Sequence, residues 1–174
     1  MSMILVTPLS AVFDSIRLYR PSHLVTLLSP EYMIETPEGF PAPRHLRLSI
    51  NDVADPAAAS APPALVHVSQ LIAFGRGWNG SAPMLVHCWA GVSRSMAGAF
   101  MILCDRAKAG AEHDIAHAIR ARAPHASPNR LLVRLADHAL NRGGRMVRAV
   151  EAIGPGILVE EGFPVELPLT LGAL

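Results

Sequence analysis

Apolar residues fall into short unbroken runs in the first half of the chain and into spaced sets in the second. ILVTPL near the start and HLVTLLS, centred on Val25 to Leu28 between Pro21 and Pro30, are aliphatic runs with almost no polar face, which predicts strands, the second of them buried. In HLRLSI the period is two: Leu46, Leu48 and Ile50 alternate with Arg47 and Ser49, a strand with one buried face that ends at Asn51 and Asp52. Met84 to His87 is a fourth short apolar run.

Elsewhere the period is helical. Ala97, Phe100, Met101, Cys104 and Ala107 recur three and four apart in SRSMAGAFMILCDRAKAG. Further helices are expected from Ser10, as N-cap, through Tyr19, and from Ala64 to Trp78. Others run from Glu112 to Arg122, stopped by Pro124, and from Asn129 to Asn141, with Ser127 as cap and Pro128 at the first helical position. A shorter one lies around Met146 to Ile153, beyond Gly143-Gly144. Residues 55–63, DPAAASAPP, have the composition of a flexible insertion loop, and the tail, residues 155–174, is broken by Gly and Pro and has no assigned element. Strands alternating with helices early and helices in succession late predict one α/β domain over residues 1–174. Its central, mostly parallel sheet is flanked by helices, and its C-terminal half is helical.

Composition narrows the partners. At 174 residues the chain can bury an ordinary core, and a formal charge of +1 argues against a nucleic-acid binder, which neutralises many phosphates. The C-terminal arginines (Arg120, Arg122, Arg130, Arg134, Arg142, Arg145, Arg148) are expected to form a solvated helix face. The apolar start lacks an early basic residue and is interrupted by Pro8 and Asp14, so neither an export signal nor a membrane anchor is expected. With two cysteines, Cys88 and Cys104, a reducing cytoplasm is the expected setting.

One stretch carries more chemistry than packing needs. VHCWAGVSRS, Val86 to Ser95, sets a cysteine between a histidine and a tight turn that ends in arginine, with a strand before it and a helix after it. If Trp89, Ala90, Gly91, Val92, Ser93 and Arg94 wrap into a cradle at that helix's N-terminus, their backbone N–H groups and the positive helix end converge on one spot that suits a thiolate or a phosphate dianion. Gly91 permits a conformation a side chain would hinder, and Arg94 offers a planar fork to two oxygens.

His87, Cys88, Trp89 to Ser93, Arg94 and Ser95 form H-C-x5-R-S, which resembles the active-site loop of the cysteine-dependent protein tyrosine phosphatase superfamily; the compact chain is similar to its dual-specificity-like, bacterial single-domain members. APHASPNRLLVRLADHAL resembles the segment where a Pro-Asn pair opens a late helix in those enzymes, and LRLSINDVAD resembles their strand and general-acid loop. The resemblance implies a protein phosphatase that hydrolyses phosphotyrosine monoesters, with phosphoserine and phosphothreonine left open as further substrates, without a cofactor or metal. Cys88 would be the nucleophile, Arg94 the phosphoryl and transition-state ligand, Ser95 the group that stabilises the departing thiolate, and His87 an orienting residue. Asp52 would be the general acid, with Asp55 the second candidate, and Asn129 would support the loop. The partners implied are a phosphorylated protein or peptide and an oxyanion in the loop, with no nucleic acid and no membrane. The alternative from another class is a catalytically weak phospho-binding module.

The remaining candidates have plainer readings. Cys104 lies about ten helical residues beyond Arg94, roughly 15 Å at 1.5 Å per residue, so it is expected in the core rather than as a resolving thiol. His113 and His117 sit one turn apart without a third ligand at metal spacing and read as a surface helix. Trp89 reads equally as a rim residue or a packed aromatic, and His125 as a residue near the site or a structural one.

Overall fold

The computed structural model describes residues 2–172 of the chain. Four parallel strands, β1 (Met3–Pro8), β2 (His23–Leu28), β3 (His45–Ser49) and β4 (Met84–Cys88), and an antiparallel edge strand, β5 (Val165–Pro168), form one sheet in the order β3-β2-β4-β1-β5. The sheet is therefore mostly parallel, flanked by six α-helices: α1 (Val12–Tyr19), α2 (Leu65–Gly77), α3 (Arg94–Arg106), α4 (Glu112–Arg122), α5 (Arg130–Ala139) and α6 (Arg145–Ile153).

Both faces of the sheet are covered, which is why the inner strands are buried almost throughout and mostly apolar, with Thr7, Thr26 and His87 the buried polar exceptions. Val25, Leu27, Val86, Ile4 and Val6 join the large core with α2 to α6, whereas Leu5, Leu24 and Leu85 meet Val12, Ile16 and Tyr19 of α1 on the other face. α3 is the pivot: every residue from Arg94 to Cys104 is buried, and at Gly98 an added Cβ would lie 3.2 Å from Leu27 Cδ1, so the helix sits close on the strands.

Several expected boundaries move. Ser10 does not cap α1; a 3-10 turn, Leu9–Ala11, precedes that helix and Ser10 Oγ instead donates to Glu161 at 2.7 Å. Nor do Ser127 and Pro128 start α5. Asn129 is its N-cap, with Oδ1 accepting from the Leu132 N–H at 2.9 Å, because an Asx side chain at that position satisfies an otherwise free helix donor.

The expected insertion loop is clasped: Asn51 donates its backbone N–H to Ala61 O at 2.7 Å and accepts from the Ala61 N–H through Oδ1 at 2.9 Å. The tail holds an element the pattern missed. VELP supplies β5, with Val165 and Leu167 buried and Glu166 exposed, a strand too short for its alternation to stand out between prolines. Residues 173 and 174 of that tail lie outside the described residues.

The arginines of the C-terminal third do not form one solvated face. Arg142 is buried and donates to Glu112 Oε1 at 3.1 Å and to the carbonyls of Cys104 and Ala107, while Arg120 donates to the carbonyls of Ile153, Ala126 and Gly154. Among the described residues, no helix is long and apolar enough to cross a membrane.

Candidate active site

The four parallel strands end on one side of the sheet, and each contributes from its carboxyl end, the usual location of sites in open α/β sheets. Cys88 is the last residue of β4 and is buried; Ser95, in the first turn of α3, places Oγ 3.1 Å from its Sγ. Between them the chain turns through Gly91, whose φ is +71°. A Cβ there would stand 2.7 Å from the backbone nitrogen of Pro8 at the end of β1, so conformation and space both require glycine.

The loop's carbonyls are tied from outside by separate parts of the chain. Trp89 O accepts from the Leu9 N–H at 3.0 Å, Ala90 O from Gly162 at 2.8 Å, Val92 O from Ser127 at 2.9 Å and Ser93 O from Asn129 at 3.2 Å. The peptides are trans, so an outward carbonyl turns the following N–H inward. The geometry yields a cradle of N–H donors with Cys88 at its base.

Arg94 is oriented by its far edge. Nη1 donates to Ile50 O at 2.9 Å, just beyond β3, and to Ser29 Oγ at 3.3 Å, just beyond β2. Nε is buried with no hydrogen-bond partner among the described residues, which leaves the Nε–Nη2 edge of the guanidinium for a planar pair of oxygens.

Asp52 reaches the same place. Its Oδ1 accepts from Ser93 Oγ at 2.6 Å and from Asn129 Nδ2 at 2.8 Å, and its Oδ2 lies 3.9 Å from Arg94 Nε. Asn129 Nδ2 also donates to Val53 O and Arg134 to Ala54 O, so the start of α5 holds the segment after β3. Asp55 does otherwise: its carboxylate accepts from the Ala57 N–H at 3.0 Å and caps a 3-10 turn.

Beneath the cysteine runs a buried polar chain. His87 Nδ1 faces the carbonyl of Cys88 at 3.4 Å, and a carbonyl can only accept, so the proton sits on Nδ1. His87 Nε2 then accepts from the Thr26 hydroxyl at 2.7 Å, Thr26 Oγ1 accepts from His45 Nε2 at 2.7 Å, and His45 Nδ1 accepts from Thr36 at 3.0 Å. Burial pushes both imidazoles down to about 4; Arg47 adds to this at His45, and His45 and Arg94 add to it at His87. Near neutral pH both rings are therefore uncharged and orient rather than carry protons.

The rim and surroundings separate the other candidates. Trp89 is half exposed and packs against Tyr32, ring centroids 4.7 Å apart, on the turn that follows β2. Cys104 is fully buried and burial pushes its thiol well up, which leaves it un-ionised. His113 and His117 stack on α4, and His125 is buried behind the loop against Phe163.

Sequence reading missed Thr26, Ser29, His45 and Tyr32, because their roles come from neighbouring strands rather than from any motif. The rule that open sheets bind at strand carboxyl ends would have pointed to Ser29 alone.

No family model and no curated protein matches the chain. Solved structures do. The crystal structure of DUSP15 superposes with a TM-score of 0.58 at 17% identity, covering 88% of this chain and 91% of that one. The Yvh1 phosphatase domain from Chaetomium thermophilum superposes with a TM-score of 0.56 at 21% identity, covering 82% and 93%. At such identities the likeness shows the fold: one mixed sheet and six helices in the arrangement of the dual-specificity-like phosphatases.

Proposed function

We propose that the chain is a cysteine-dependent protein phosphatase that hydrolyses phosphotyrosine monoesters, and phosphoserine or phosphothreonine monoesters as well, through a cysteinyl-phosphate. The observation that carries this reading is the loop itself. Its carbonyls are drawn outward, so its N–H groups and the open edge of Arg94 offer a preorganised site for the charge of a transferring phosphoryl group.

In the first step the Cys88 thiolate attacks phosphorus, the S–P bond forms and the ester P–O bond breaks, and Asp52 gives its proton to the leaving oxygen. In the second, water attacks phosphorus while Asp52 takes its proton, the S–P bond breaks, and phosphate leaves. The Ser95 hydroxyl, 3.1 Å from Sγ, donates to the returning thiolate. Asp52 Oδ1 is occupied by Ser93 and Asn129, so Oδ2 is the oxygen that carries the proton. The loop contains no lysine, which suits a singly phosphorylated group better than a highly charged one.

A phospho-binding module is the second reading, because the same contacts that place Asp52 also fasten it beside Arg94. Hydrolysis of a small aryl phosphate by the purified protein, with chelator and reductant present, separates the two. Turnover is expected in the wild type, absent in Cys88→Ser, and reduced by on the order of 10²–10⁴ in Asp52→Asn. A folded wild type that binds phosphate without turnover would place the chain with the binding modules.

A further inference from the structure

The stretch that joins α6 to β5, residues 154–164, runs along the outside of the phosphate-binding loop, and nothing in the mechanism above uses it. It is fastened at both ends and along its length. Arg120 donates to Gly154 O at 2.9 Å, the Ile157 N–H donates to Pro124 O at 2.9 Å, Ser10 donates to Glu161, and β5 pairs with β1 immediately afterwards.

Two glycines let it lie that close. A Cβ on Gly156 would be 2.5 Å from the His125 carbonyl, and one on Gly162 would be 2.5 Å from His125 Nε2 and 3.3 Å from Ala90 O. His125 fills the space beneath, edge-on to Phe163 at 4.6 Å, with both ring nitrogens buried and without a hydrogen-bond partner among the described residues. At the end of this strap the Gly162 N–H reaches Ala90 O at 2.8 Å.

We infer that Gly162 is a positioning residue for the oxyanion cradle, an inference that rests on reading the loop as one. The Ala90–Gly91 peptide is the weak point of the cradle. Gly91 tolerates both signs of φ, so this peptide can rotate and turn its carbonyl, instead of the Gly91 N–H, toward the anion. Leu9, Ser127 and Asn129 fix the Trp89–Ala90, Val92–Ser93 and Ser93–Arg94 peptides, and the strap's N–H is the bond that fixes this one. The C-terminal strap thereby controls the sign of one dipole facing Cys88.

The test reads the cradle without needing turnover. Cys88 is alkylated with iodoacetate and with iodoacetamide in parallel; a cradle of N–H groups favours the anionic reagent, and the ratio of the two rates measures that preference. Gly162→Pro deletes the donor. Gly156→Ala, which lifts the strap from the His125 backbone, takes its place if the proline variant does not fold.

Leu167→Ala, which opens a cavity under β5, supplies a comparable loss of stability without touching the bond. The ratio is expected to fall on the order of 10-fold in Gly162→Pro and to stay at the wild-type value in Leu167→Ala. A wild-type ratio in Gly162→Pro, whatever its melting temperature, overturns the inference, as does a wild type without preference for the anion. A wild type that prefers iodoacetate but hydrolyses nothing sinks the phosphatase reading and leaves the strap standing.

Discussion

His87 sits where the motif places it, yet its behaviour is set by residues the motif does not contain. The Cys88 carbonyl fixes the His87 tautomer and the Thr26 hydroxyl passes that choice to His45, and burial holds His87 and His45 down at about 4 against an ordinary 6.5. The unfolded chain takes up these protons as pH falls through 6.5, and the folded one resists until about 4. Stability is therefore full above that window and is lost progressively as pH falls through it. Thermal unfolding from pH 7.5 to 4.5 should show a melting temperature that drops with acid, and a shallower drop in His45→Gln, whose amide does not titrate. At this scale the meeting of Cys88, Arg94 and Asp52 was legible, because one short segment holds the cysteine and the arginine and the end of a strand holds the aspartate. Ser29 and Thr26 were not, since a serine or threonine in or beside an apolar run carries no local sign of its partner.

The start of α5 is where element and site meet. Asn129 uses its backbone N–H on the loop carbonyl of Ser93, its Oδ1 on the Leu132 N–H and its Nδ2 on Asp52 and Val53, so one residue caps a helix, braces the loop and holds the Asp52 carboxylate. Asn129→Ser separates these duties. Serine caps a helix about as well as asparagine but is too short to reach Asp52, so the melting temperature should hold within a few degrees while kcat falls roughly 10-fold. An unchanged kcat would remove Asn129 from the positioning of the acid. Helix interiors were legible from spacing, and α4 begins at Glu112 as expected, but two starts were not: Ser10 and Ser127 are good caps in isolation, and tertiary partners, Glu161 for one and the loop for the other, took them elsewhere.

Over the whole molecule, two layers of helix on a mostly parallel sheet followed from the order of runs and periods, because faces covered on both sides leave strands as largely unbroken apolar runs. β5 did not, being four residues that follow one proline and end on another, and the arginine-rich third misled because charge pattern alone does not distinguish a solvated face from a clasp. Arg142 and Glu112 are such a clasp between α4, the end of α3 and the turn before α6. Burial works against the Glu112 charge, but the N–H groups of Glu112 and Gly110 and the guanidinium groups of Arg145 and Arg142 outweigh it and hold its carboxyl below the usual range. Arg142→Met leaves that carboxylate with one partner fewer and two helix-end carbonyls unmatched, and should cost on the order of 3 kcal/mol in denaturant unfolding. A cost below about 0.5 kcal/mol would show that the pair does not hold these helices together.

The account as a whole stands on a covalent bond at one sulfur. Rapid acid quench of the protein mixed with excess aryl phosphate, followed by mass analysis of the peptide that contains Cys88, should show one added phosphoryl group on that cysteine, formed within a single turnover and absent in Cys88→Ser. Turnover with no such adduct, undiminished in Cys88→Ser, would contradict the mechanism at its root.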